Sequence, residues 1–149
     1  MKKDVLDLKE NSAVICYIEM LQNNISRMSN YSGIIKASMC VVYTIVCTII
    51  MTIEKLNNYW WITIPITIFL AVLDSYYLAI EKIYVDKYNF FVSKLNSNNI
   101  DYQEIYDMKP RTTLLKCEIL ARTIFCMKSF SVFGFYGIFI ILSLIVYFI

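Results

Sequence analysis

The stretch Tyr59-Trp60-Trp61-Ile62-Thr63-Ile64-Pro65-Ile66-Thr67-Ile68-Phe69-Leu70-Ala71-Val72-Leu73-Asp74-Ser75-Tyr76-Tyr77-Leu78-Ala79-Ile80-Glu81 decides how this chain is read. It opens on Tyr59, Trp60 and Trp61, an aromatic belt of the kind found at membrane–water interfaces, and stays uncharged to Leu73. Asp74 then stands inside the apolar run. A carboxylate there costs roughly 2.5–3.5 kcal/mol on insertion scales, so such an acid is paired or faces a protein or water-filled interior. Residues 59–80 therefore read as a membrane span whose acid needs a partner. Thr63, Thr67, Leu70, Asp74, Tyr77 and Glu81 share one helical face, which Tyr88 extends. Pro65, in the first turns, is expected to bend the helix there.

Upstream, residues 34–53 (Ile34 to Ile53) have the roughly 20-residue apolar length that crosses a hydrocarbon core. Lys36, Cys40, Thr44, Thr48 and Thr52 recur at every fourth position, a weakly polar stripe along this first span. Threonines so placed bond their own i−4 carbonyls or a neighbouring helix, or else line a pathway. The short connection Glu54–Asn58 makes the two spans antiparallel neighbours. Lys36 and Asp74 then enter from the same side, Asp74 lying roughly 9 Å deep by helix rise from Ile80. The lysine stem can reach along the helix, so Lys36 is the best available partner. Two readings stay open. Lys36, Asp74, Glu81, Tyr77 and Thr67 form a buried polar knot that sets helix register, or Asp74 is a gate, a pathway lining or an inter-subunit contact.

Before the first span, residues 1–33 begin mixed-charge and lack the order of a secretory signal, so they are expected to stay in the mature protein. Val14, Ile18, Leu21, Ile25 and Met28 then alternate in four- and three-residue steps, an amphipathic helix that packs on the rest of the chain, lies on the membrane surface or pairs with another subunit. After the second span, residues 81–128 form the only sizeable region outside the membrane. Its helix is expected to continue to about Leu95 and to break at Asn96–Asn99, with a loop or short helix over Asp101–Pro110 and a further helix over Arg111–Lys128. Residues 130–149, uncharged throughout, read as a third span. Gly134 and Gly137 there allow close backbone approach.

Lysines and arginines concentrate before the first span and between the second and third, with Lys55 alone in the other connection. The positive-inside tendency makes the N-terminus and residues 81–128 cytosolic and puts the C-terminus outside. The fold class is thus all-α: a membrane bundle of three transmembrane helices, an N-terminal amphipathic helix and a cytosolic helical region.

Composition agrees and narrows the chemistry. The chain is 149 residues long, 58% hydrophobic and 17% charged, too apolar for a soluble domain of this size, and three glycines and two prolines favour long helices over hairpins. A net charge of +2, spread among acids, gives no nucleic-acid footprint. There is no histidine, and the five cysteines form no C-x-x-C pair, so neither His-based catalysis nor a zinc site nor a disulfide framework is indicated. Asp74 and Glu81, seven residues apart, are separated by about 10 Å along a helix, too far to share a proton. No phosphate-binding loop or nucleophile motif is present, so no cofactor and no enzymatic activity are expected.

Three segments carry a family resemblance: Ile25-Ser26-Arg27-Met28-Ser29-Asn30-Tyr31-Ser32 followed by Lys36; Asp74-Ser75-Tyr76-Tyr77-Leu78-Ala79-Ile80-Glu81 with Tyr84 and Tyr88; and Ser129-Phe130-Ser131-Val132-Phe133-Gly134-Phe135-Tyr136-Gly137. In order and spacing the chain resembles a group of small bacterial inner-membrane proteins with a D-x-Y-Y-L-x-x-E motif. Val72-Leu73 stand where that group usually has an aromatic pair, and Lys82 where arginine is common. The group is similar to the SLATT-like membrane effectors of bacterial conflict and nucleotide-signalling systems. The resemblance implies a multi-pass inner-membrane protein that forms a homo-oligomer in the lipid bilayer and permeabilises it, as in anti-phage defence, when a soluble signalling partner engages the cytosolic region. It singles out Arg27, Asn30, Tyr76, Ser129 and Tyr136 as motif positions. Two other classes fit the same sequence: a membrane scaffold that anchors a soluble partner, and a small oligomeric ion channel or transporter subunit.

Overall fold

In the computed structural model, residues 11–53, 59–97 and 115–148 are described, and all their regular structure is helical. Four helices follow one another: α1 Ser12–Thr52, α2 Thr63–Asn96, α3 Leu115–Met127 and α4 Phe130–Phe148. The expected connection at Glu54–Asn58, the expected loop over Asp101–Pro110 and the first ten residues lie outside the described residues.

The amphipathic segment and the first apolar segment are one helix. Asn11 starts it, its side chain accepting from the Ala13 amide at 3.0 Å, and no break occurs at Gly33. At 1.5 Å per residue this helix is about 62 Å long, twice the thickness of a hydrocarbon core. Its composition divides accordingly. From Ile34 onward the outer face carries Ile34, Val41, Val42, Ile45, Ile49 and Met51, whereas Glu19, Gln22, Asn23 and Arg27 are exposed earlier.

α2 runs back antiparallel to α1 along the same length. Pro65 stands three residues into α2, which residues 59–62 lead into as a turn of tighter helix. Away from the apolar half, Val14, Tyr17 and Leu21 of α1 close on Phe91 and Leu95 of α2, with Tyr84 and Tyr88 alongside. Tyr17 meets Phe91 edge-on at 4.7 Å. The amphipathic helix therefore packs on this chain's own second helix. Its buried seam runs through Tyr17 rather than Ile18.

In the apolar half α2 presents a ridge of small residues at every fourth position, Thr63, Thr67, Ala71, Ser75 and Ala79, all buried. Small side chains let helix backbones approach closely, the main source of packing where water supplies no hydrophobic drive between helices. Around Ala71 the ridge meets Met39 of α1 and Val132 and Tyr136 of α4, with Tyr43, Leu78, Phe135 and Phe139 at the margin. α4 thus runs beside the hairpin, in the same direction as α1.

α3 and α4 meet at 59°. The amides of Lys128 and Ser129 bond back to Phe125 and Cys126, and the Ser129 carbonyl accepts from the Val132 and Phe133 amides, so one helix ends and the next begins within two residues. Arg122 of α3 is paired to Asp86 of α2, and Lys82 lies over the Phe125 ring at 5.7 Å. The outer face of α3 is apolar, with Leu120, Ile124 and Phe125 all exposed. Among the described residues two helices, those containing α1 and α2, are long and apolar enough to cross a membrane; α3 and α4 add a third candidate only if the bent pair is counted as one span.

Candidate functional site

Asp74 is fully buried between α1 and α2. The Ser32 hydroxyl of α1 donates to its Oδ1. Lys36, one turn further along α1, lies 3.1 Å from Oδ2 and 3.4 Å from Oδ1, and its ammonium also donates to Ser32 Oγ at 3.0 Å. Serine and lysine at i and i+4 stand on the same stripe of α1, which is how two short reaches converge on one carboxylate. The Lys36 side chain keeps 23% of its surface exposed while Asp74 keeps none. The pair is therefore sealed on the acid side and open on the lysine side. Asp74 Oδ2 has the ion pair but no hydrogen bond.

Tyr136 reaches the same place from α4. Its hydroxyl is buried and lies close to the Asp74 carboxylate. The site thus touches three helices, two through polar contact and the third by proximity.

A second polar layer lies toward the other end of the apolar half. Thr63 of α2 donates to Ser143 of α4 at 2.9 Å, and Tyr43 of α1 shares a hydrogen bond with Ser143 at 3.2 Å. Thr63 also bonds the Trp60 carbonyl, which leaves its hydroxyl shared, and Ser143 bonds Phe139. This layer involves none of the residues that the sequence singled out for chemistry.

No protein-family model, no curated protein and no solved structure matches the chain.

Of the residues selected from sequence, Lys36 and Asp74 come together. Glu81 stands two turns beyond Asp74, half-buried, within the fields of Lys36 and Lys82, with Oε2 buried and unbonded. Tyr77 stacks against Tyr31 at 5.3 Å and Tyr76 at 5.7 Å, and is occupied with aromatic packing. Thr67 is buried but its hydroxyl is spent on the Thr63 carbonyl at 2.8 Å. Thr44, Thr48 and Thr52 are exposed along α1, each bonding the carbonyl four residues back at 2.7–2.8 Å. Their hydroxyls are held by their own helix.

Among the motif positions, Arg27 bonds Asn24 on its own helix at 3.2 Å, Asn30 lines a cleft described below, and Tyr76 is largely exposed. Ser129 forms the hinge before α4, and Tyr136 faces Asp74. Ser32 was not picked out as a site residue in the sequence. Its signal is its position four residues before the lysine, on the face that meets the aspartate. Among the described residues no group of three or more metal-ligating side chains converges.

Proposed function

We propose that this chain is a non-enzymatic bacterial inner-membrane effector that assembles through its spans and perturbs or permeabilises the membrane. The observation that carries this reading is the Lys36–Asp74 pair sealed within the apolar part of the helix hairpin. An ion pair in such a setting is costly to build and is retained where it sets register, holds a closed state or lines a path. The apolar outer faces of α1, α3 and α4 support membrane embedding, with α3 and α4 together as a third, bent span and the polar end of the hairpin on the cytosolic side. In this reading the lysine side of the pair, open to the surroundings, is where a signal or a neighbouring subunit acts.

The test is induced expression in bacteria with a membrane-potential dye, with and without the products of adjacent genes. Depolarisation and growth arrest that vary with Asp74→Asn or Lys36→Met are expected. Absence of both effects in every combination refutes the effector. A scaffold role is the second reading, favoured by the length of hairpin that projects beyond the apolar half. It requires Asp74→Asn to leave function intact while charge changes in residues 81–128 abolish it.

A further inference from the structure

Between α1 and α2, beyond the apolar half, a cleft of about 600 Å³ opens against Glu81. Its walls are Gln22, Ser26, Ser29 and Asn30, all neutral hydrogen-bonding side chains, with Ile25 as an apolar patch. Gly33 forms part of the wall, and a Cβ built there meets nothing within 4 Å. Among the described residues, Glu81 is the one charged group lining the cleft. Its Oε2 is buried without a hydrogen-bond partner while the side chain as a whole is half-buried, and such a group is satisfied by water, an ion or another bound group.

The two cations near Glu81 are both engaged. Lys36 is held on Asp74 at 3.1 Å, and Lys82 Nζ lies over the Phe125 ring. No described residue closes an ion pair with Glu81. A carboxylate on a cleft otherwise lined by neutral amides and hydroxyls, in a space far larger than a bare ion, matches a ligand that brings several N–H donors and positive charge. We infer that this cleft binds a small organic polyamine, with an ammonium group on Glu81 and further N–H groups on Ser26, Ser29 and Asn30.

The inference is independent of any effect on the membrane, because binding is measured on the purified chain. Spermidine is titrated calorimetrically into the full-length protein in neutral detergent at fixed ionic strength. Saturable binding is expected, at least tenfold weaker for Glu81→Gln and lost in Gly33→Leu, where a Cβ meets nothing within 4 Å and the added side chain occupies cleft space. Lys82→Gln, which removes an opposing charge, is expected to bind more tightly. Equal binding by wild type and Gly33→Leu, no binding by wild type, or displacement of spermidine by an equal concentration of potassium overturns the assignment. If Glu81→Gln fails to fold, Gly33→Leu still decides the question.

Discussion

Replacing Lys36 with methionine leaves the Asp74 carboxylate fully buried and without its ion-pair partner, with Ser32 still donating to it. Removing one partner from a buried pair costs about 3–5 kcal/mol, because the other charge stays desolvated and uncompensated. The open side of this pair lets some solvent reach Asp74 once the lysine is gone, which places the expected loss near 3 kcal/mol. For a chain of this size that corresponds to a fall in melting temperature of about 9 °C. The opposite substitution, Asp74→Leu, should cost less. Lys36 is already 23% exposed and can turn its ammonium outward along its stem. The double variant Lys36→Met/Asp74→Leu has no charge left to bury and should return to within about 1 kcal/mol of the parent, or above it. Thermal unfolding in detergent followed by circular dichroism gives all four corners of the cycle. Equal costs for the two single variants, or a double variant whose loss is the sum of both, refutes a coupled, asymmetrically buried pair.

Other substitutions probe the rest of the bundle. Ser143→Ala removes the acceptor for Thr63 and the partner of Tyr43, and should lower stability by about 1–2 kcal/mol in the same unfolding assay. Ala79→Leu places a larger side chain on a fully buried point of the small-residue ridge, and a loss of about 1–3 kcal/mol is expected from overpacking. The triple change of Thr44, Thr48 and Thr52 to valine should shift the melting temperature by less than about 3 °C, since each hydroxyl is already bonded within α1. In native membrane vesicles opened to reagent on both sides, a water-soluble maleimide should label Cys16 at the polar end and leave Cys40 unlabelled although both are exposed on the isolated chain. Equal labelling of the two would place the second half of α1 in water.

The acid and its lysine were legible from sequence because charges are rare in apolar runs, so each one announces itself and an antiparallel pairing nearly determines which meets which. Ser32 gave no such sign. A serine in a mixed stretch is unremarkable until the structure puts it on the stripe that faces Asp74. The face of the second helix was drawn through its polar residues, Thr63, Thr67, Asp74, Tyr77 and Glu81, but the buried line departs from it at Ala71, Ser75 and Ala79. Size, not polarity, was the relevant pattern there, and it was present as a small residue at every fourth position. The Arg122–Asp86 pair joins residues 36 apart in sequence, which no local periodicity encodes. The third apolar segment is a helix over Phe130–Phe148, and its relation to α3 is set by the turn at Ser129.

The small-residue ridge also explains why the bundle needs polar contacts at all. Thr63, Thr67, Ala71, Ser75 and Ala79 repeat every four residues, so sliding α2 by one turn, about 6 Å, replaces one small residue with another and changes the apolar packing little. The two polar layers remove that degeneracy. Ser32 to Tyr43 on α1 and Thr63 to Asp74 on α2 are the same eleven-residue interval, traversed in opposite directions. Both layers are therefore satisfied together in one register, and a one-turn slip breaks both. Within the proposed function, an assembly step that moves α2 along α1 has to break the ion pair and the hydroxyl cluster in the same event, which makes a sharp threshold out of weak individual bonds. A chain lacking the Ser143 layer alone should then cross that threshold more easily while keeping Lys36 on Asp74.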